Sequence, residues 1–280
     1  MISVIVPAHN EAGVIGRTLQ AMTEGVQPGE LEIIVVCNGC TDNTAAIARR
    51  FSPIVKVLET PIAGKAHALN LGDSAAVGFP RVYADADVVI APDAIRRLAE
   101  CLKEPGVLAV APTPLFDLSA CSWGVRAVYQ IRSLLPSSHD GIGGSGVYAL
   151  SEAGRSRFGE FPGLTSDDGY VRIQFAEYER RMLPDARSKV FPPKTLKDLV
   201  ATKTRAHYGT LELAVAFPEL WGRRYQRNHD SLAKLFRYPW LWPQLSMYCL
   251  VTLIAKRRAR MRMRKGIVQW ERDQTSRATA

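Results

Sequence analysis

The sequence predicts an α/β protein: a mixed, mostly parallel sheet with helices on both faces, followed by a helical, basic C-terminal extension. Three observations carry this expectation. Apolar runs alternate with stretches of helical spacing as far as residue 115. The links between them are short, the pattern of strands and helices wound into one sheet. Near Trp221 the composition then changes, with 14 Lys/Arg against 3 Asp/Glu from there to the end and 22 against 24 before it.

Each element follows from its residues. "ISVIVP" is a continuous apolar run stopped by Pro7, as a strand buried on both faces requires. The next stretch places Val14, Ile15, Leu19 and Met22 at helical spacing and ends near Gly25. "LEIIVV" is a second strand, and "TDNTAAIARRF" a second helix with Thr41 or Asp42 as its cap. "IVKVLE" predicts a third strand, and "GKAHALNLGDSAA" a helix behind a glycine. "RVYADAD" is a fourth strand, "APDAIRRLAECL" a helix with Pro92 at a tolerated early position, and "GVLAVAP" a fifth strand. Beyond Phe116 the pattern loosens into a helix around 120–135, the glycine-rich "GIGGSGVYAL" and the acidic "TSDDGYVRIQF". The composition shift divides the chain into a catalytic domain, 1–220, and an extension, 221–280.

Composition narrows the function classes. With 47% hydrophobic and 22% charged residues, 280 residues suffice for a real core. The net charge of +9 belongs to the tail, so it says little about what the main domain binds. Five scattered cysteines and an opening "MISVIVPAHN" without a basic leader point to the reducing cytoplasm.

Four polar clusters fall at strand ends: "PAHNE", "CNGCTDNT", Gly64-Lys65 and Asp85-Ala86-Asp87. In such a sheet the strand ends meet at one edge, where ligands bind. Two carboxylates one residue apart can face one ligand, and hard oxygen donors suit Mg²⁺ or Mn²⁺, which bridge a diphosphate. Taken alone, the triplet reads more readily as a solvated strand end, Asp85, and a turn residue, Asp87, than as a metal site.

In this order the pieces resemble family 2 glycosyltransferases of the GT-A, Rossmann-like fold. "VIVPAHNE" resembles their opening strand and loop, "IIVVCNGCTDNT" their nucleotide loop, and "GKAHALNLG" their G-K-x-x-A-L-N-x-G helix. "DAD" matches their D-x-D, "GGSGVYAL" their acceptor-side glycine strand, and "SDD" the pair holding the catalytic base. The resemblance covers residues 1 to about 180. It implies that Pro7, His9 and Glu11 lie along the nucleoside, with Asp85 beside the ribose and phosphates. It also implies that Asp87 is a metal ligand and Asp168 the catalytic base, with Asp167 and Gly144 on the acceptor side. Lys65 matches a basic residue near the nucleotide; by itself it also reads as a solvated helix-face lysine.

This chain departs from the family at Cys37 and Asn38, where two aspartates are common. Asn38 carries both a donor and an acceptor and so can still face a base. Cys37 and Cys40 also form C-x-x-C, the spacing of a redox pair or half a zinc site, but Cys101, Cys121 and Cys249 supply no second pair. Asp167 and Asp168 read as well as a helix start, where carboxylates complement the dipole and Thr165 or Ser166 caps. His207 is a candidate late metal ligand, or a packing histidine.

The stretch from Tyr238 to Ala255 is uncharged, but its uninterrupted apolar part, from Leu245, falls short of the ~20 residues needed to cross a bilayer. Trp240 and Trp242 suit a headgroup belt, and the cluster from Lys256 to Lys265 suits anionic lipid. A helix packed on its own domain or on a dimer partner is the competing reading. Nucleic acid is not expected, since no reading module accompanies the basic run. The expected function is an inverting, Mn²⁺- or Mg²⁺-assisted transfer of a sugar from a nucleotide-sugar donor to a lipid-linked or glycan acceptor, peripheral on the inner face of the membrane. A non-catalytic binding subunit on the same fold is the alternative. A sugar nucleotidyltransferase would open with an arginine-containing glycine-rich loop, and "PAHNEAG" is not one.

Overall fold

The run Ile2–Ala8 forms β1, with every residue after Ile2 buried, and pairs in parallel with β2 (Leu31–Asn38) from Ile2 opposite Leu31 to Ala8 opposite Cys37. Between them lies α1 (Ile15–Thr23), which buries Ile15, Thr18, Leu19 and Met22. The chain continues through α2 (Thr44–Ala48), β3 (Val55–Thr60), α3 (Lys65–Ala75), β4 (Arg81–Ala84), β5 (Val89–Ile90), α4 (Pro92–Cys101) and β6 (Ala109–Phe116). After these come α5 (Trp123–Ser133), β7 (Val147–Leu150), α6 (Glu152–Arg155), α7 (Asp167–Ile173), β8 (Arg180–Val190), α8 (Leu196–Ala216), α9 (His229–Leu235) and α10 (Trp242–Lys265). This computed structural model describes residues 1–138, 142–223 and 229–265; the rest of the expected 221–280 extension, and Gly141 of the glycine-rich stretch, lie outside the described residues.

Among the described residues eight strands form one sheet, ordered β3-β2-β1-β4-β7-β6-β8-β5. The first four neighbours run parallel; β7 is antiparallel to both β4 and β6, β8 is parallel to β6, and β5 antiparallel to β8. This is the expected mixed sheet. It is covered on one face by α1 and α4, whose Leu19, Met22, Ile95 and Leu98 pack on Val4, Val6, Ile33 and Val35. On the other face Leu69 of α3, with Phe158, Phe161 and Tyr170, packs on Ile5, Ile34 and Val36. Each such side chain, fully buried, contributes about 1.5–3 kcal/mol.

One buried ionic network ties these layers together. Asp73 of α3 accepts from the Tyr83 hydroxyl at 2.6 Å and from Arg155 Nε at 2.7 Å, and it pairs with Arg81. Burial would raise the Asp73 pKa, but the bonds from Arg155, Tyr83 and Arg81 outweigh it and lower the value.

The extension does not form a core of its own. Val251 of α10 packs with Val125, Tyr129, Leu199 and Val200, and Leu241 and Leu245 with Ile131 and Leu135. The packing reading of the tail therefore holds for one face of α10. Its other face leaves Leu250 and Leu253 exposed, in line with the exposed Trp240 and Trp242 before it. Among the described residues no helix is long and apolar enough to cross a membrane.

Candidate active site

The loops after β1 and β2 are built on each other. Asn10 adopts a left-handed backbone (φ 52°) and accepts from the Thr41 N–H at 2.7 Å. Ala12 N–H donates to Asp42 Oδ2 at 3.0 Å, and Glu11 N–H donates to Thr44 Oγ1 at 2.8 Å. Asp42 also receives the Thr44 N–H at 3.0 Å, doing the work expected of a cap although Asn43 occupies the cap position. Glu11 is buried by this arrangement, Pro7 is buried within β1, and His9 is half-buried with its ring nitrogen against the Asn38 carbonyl.

Asn38 differs from its expected position facing a base. Its side chain is 4% exposed; Nδ2 donates to Ala8 O at 2.8 Å and Oδ1 accepts from Gly64 N–H at 3.0 Å. Both ends of the amide brace the backbone, holding the start of α3 to the end of β1. Neighbouring Cys37 is buried, and burial, with Cys40 beside it, pushes its thiol up to about 12. Such a thiol stays protonated and inert at neutral pH. All five cysteines are free.

Asp85 opens the turn after β4, its N–H bound to Gly146 O at 2.8 Å. Lys65, first residue of α3, lies between two carboxylates, with Nζ 2.6 Å from Asp85 Oδ1 and 2.8 Å from Asp167 Oδ1. It is therefore not a solvated helix-face lysine. Burial would lower its pKa, but the charges of Asp167 and Asp85 prevail and raise it. Asp167 is pushed up by burial; Lys65 draws it back, while Asp168 and Asp85 add repulsion. Asp168 is half-buried, and its Oδ1 accepts from Ser166 Oγ at 2.9 Å and Gly169 N–H at 2.7 Å. Ser166 stands at the cap of α7, yet its hydroxyl serves Asp168 and makes no cap bond to the helix. Asp87, two residues past Asp85, has the Arg17 guanidinium as a charged neighbour, itself 3.8 Å over the Phe191 ring.

The edge thus carries four carboxylates, Asp85, Asp87, Asp167 and Asp168, against Lys65 and Arg17. The residual negative charge and all-oxygen donor set fit a hard divalent cation. Asp85 and Asp87 would hold it with the ligand's own oxygens, because among the described residues no group of three or more His, Cys, Asp or Glu could hold a metal ion. His207 of α8 is the other expected metal ligand. His207 has Lys203 and Lys256 as charged neighbours; burial first, then these two cations, lower its pKa to about 4. A cationic surrounding opposes a metal ion there.

Sequence reasoning missed Tyr148. It is 4% exposed, stacks on Tyr83 with centroids 5.0 Å apart, and its hydroxyl has no hydrogen-bond partner among the described residues. Burial raises its pKa, and Asp167, Tyr83, Asp168 and Asp85 raise it further, so the hydroxyl belongs to the acidic site. Only its place one residue after "GGSGV" hinted at this. The glycines there have a steric reason. A Cβ on Gly146 (φ 66°) would lie 2.5 Å from Val88 Cγ2 and 3.3 Å from Asp85 Oδ2, and one on Gly144 (φ 80°) 2.2 Å from Arg132 Nη2.

Comparison with known proteins finds a family match over the first part of this site. The model described as "Glycosyl transferase family 2" matches residues 3–126, which include both braced loops, Lys65, Asp85 and Asp87. Over those residues the chain matches family 2 glycosyltransferases. Among curated relatives, the 4,4'-diaponeurosporenoate glycosyltransferase of Staphylococcus aureus is 32% identical over 182 residues, 61% of this chain and 45% of that one. The probable glycosyltransferase YdaM of Bacillus subtilis is 42% identical over 94 residues, 31% of this chain and 22% of that one. The chain thus spans less than half the length of the curated relatives it matches. Among solved structures, the mannosyltransferase PcManGT of Pyrobaculum calidifontis, in complex with GDP-Man and Mn²⁺, aligns with a TM-score of 0.62 at 23% identity. That match covers 95% of this chain and 74% of that one. Glucosyl-3-phosphoglycerate synthase of Mycobacterium tuberculosis, with Mg²⁺ and UDP, aligns at 0.51 and 21% identity over 76% of this chain and 78% of that one. These likenesses establish the GT-A fold.

Proposed function

We propose that this chain transfers a sugar from a nucleotide-sugar donor to an acceptor hydroxyl with inversion at the anomeric carbon. The observation that carries the reading is the Lys65 bridge, which gathers Asp85 and Asp167 at the edge where the parallel strands end. Pro7, His9 and Glu11 line the nucleoside side and Asp85 the ribose and phosphates, while Asp167 and Gly144 face the acceptor. Asp168 takes the proton of the acceptor hydroxyl as that oxygen bonds to the anomeric carbon and the bond to the diphosphate breaks. Ser166 and Gly169 fix the carboxylate's orientation for this step. Mn²⁺ or Mg²⁺ held by Asp85 and Asp87 would neutralise the leaving diphosphate. The PcManGT complex with GDP-Man and Mn²⁺ supports this donor class and metal.

Calorimetry with GDP and UDP, with and without Mn²⁺, tests the reading. The parent is expected to bind one of them much more tightly with Mn²⁺. Asp87→Ala should lose that gain, by more than the roughly 10–100-fold typical of losing an outer-shell metal partner, and keep the parent's melting temperature. Equal affinity of the parent with and without Mn²⁺ would remove the metal from the reading.

We further propose that the enzyme works on the inner face of a membrane, on a lipid-linked or glycan acceptor. Exposed Trp240, Trp242, Leu250 and Leu253 adjoin the exposed bases Lys256, Arg257, Arg258 and Arg260. Each base near anionic lipid is worth roughly 1 kcal/mol, and the apolar residues add a salt-insensitive part. Sedimentation with vesicles should show binding that needs anionic lipid, weakens with salt, and falls when Trp240, Trp242, Leu250 and Leu253 are changed to Ser. A parent that stays in the supernatant with anionic vesicles at low salt would leave α10 as a packing helix alone.

A further inference from the structure

On the far side of the glycine turn from Asp85 lies a second charged cluster of opposite sign. Arg132, at the end of α5, is half-buried with its guanidinium 5.0 Å from the Phe116 ring centre and 5.5 Å from that of Tyr129. Lys203 of α8 is its charged neighbour, with Nζ 6.0 Å from the Tyr248 ring centre. His207 has Lys203 and Lys256 as charged neighbours in turn. No carboxylate among the described residues pairs with Arg132 or Lys203.

Two cations side by side among aromatic rings repel each other, and burying an unpaired ammonium costs free energy that no carboxylate among the described residues returns. Burial and the Arg132 charge together lower the Lys203 pKa to about 7. An anion bound between them removes both penalties. The arrangement suits a phosphate, with the arginine fork giving paired hydrogen bonds and the lysine a point charge. Its position is set by the turn: Gly146 lies against Asp85 and Gly144 against Arg132. Those glycines are two residues apart, at most ~7 Å of chain. A phosphate here sits beside the transfer site, across the turn from the donor's carboxylates.

We propose that Arg132 and Lys203 bind a phosphate monoester carried by the acceptor. The proposal rests on the transferase reading for the word acceptor; the anion site itself does not depend on it.

Calorimetry of the full chain with inorganic phosphate, at matched ionic strength, tests the site. The parent should bind, and Arg132→Gln and Lys203→Gln should each bind at least about tenfold more weakly, as loss of a charge-assisted bond predicts. Both should keep the parent's circular dichroism and its Mn²⁺-dependent affinity for GDP or UDP. Arg132→Lys, which keeps the charge and loses the fork, should fall between and serves if Arg132→Gln does not fold. Glycerol phosphate and vesicles containing phosphatidic acid then separate a soluble ester from a lipid one, the source being the probe that the parent binds and the double variant does not. A parent that binds no phosphate, or variants that bind it equally well, overturns the proposal. So does competitive displacement of phosphate by the nucleoside diphosphate, which would assign both cations to the donor. A parent that binds phosphate but no nucleoside diphosphate counts against the transferase reading and leaves the anion site standing.

Discussion

Asp168→Asn is expected to lower turnover by about 10²–10⁴-fold while donor binding stays near that of the parent. The amide keeps the volume and can still accept from Ser166 Oγ and Gly169 N–H, so the loop has no reason to move. It cannot take a proton. Nucleoside-diphosphate release, followed with calorimetry on the same samples, separates the two effects. Asp167→Asn makes the informative contrast. It breaks the ion pair with Lys65 and leaves that ammonium to Asp85 alone, so its cost should appear in stability and donor affinity. If Asp167→Asn were inactive with donor binding intact and Asp168→Asn active, the base would be Asp167.

Asp73→Ala should destabilise the fold by about 3–5 kcal/mol, the cost of stranding buried partners of an ion pair. The change leaves Arg81 and Arg155 without their carboxylate and Tyr83 without its acceptor. Both arginines keep carbonyl bonds, Arg81 to Asp73 O and Ala76 O and Arg155 to Phe158 O, which holds the loss below that of fully isolated charges. Denaturant unfolding measures it. The pH dependence has a defined sign. Because the Asp73 pKa is lowered on folding, its contribution is complete above its ordinary value of 3.8 and is lost as pH falls through the folded value. The gap between parent and variant should therefore be constant from neutral pH down to about 3.8 and narrow as pH falls from there through the folded value. A gap under 1 kcal/mol at pH 7 would mean the network contributes little to stability.

The parallel half of the sheet was legible because its strands are buried on both faces, and a run such as "IIVV" has few other uses. β8 was not. Its "RRMLPDARSKV" carries four basic residues, an aspartate and a proline, and reads as a loop. It becomes a strand through pairing with β6, some seventy residues earlier, with the register shifting between Pro112 and Thr113. That pairing is set by tertiary context, which overrides local propensity. The same divide runs through the site. Asp85, Asp87 and Asp168 stand in motifs and could be read in order. Arg132 and Lys203 stand in none, and Tyr148 only follows the glycines of one; what marks them is the lack of a polar partner among the described residues, and partners are visible only in space. Asn38 shows the converse, a residue with the right chemistry for a base whose amide the backbone has already taken.

The braced loops after β1 and β2 limit how this scaffold can be re-engineered. Each loop supplies the other's backbone partners: Asn10 receives Thr41 N–H, and Asp42 and Thr44 receive Ala12 and Glu11 N–H. A graft of either segment alone would import donors whose acceptors stayed behind in the parent. The pair, with Asn38 as the pin that joins it to Gly64, is the smallest transplantable unit. A donor-specificity swap between such proteins should therefore move residues 8–12 and 38–44 together.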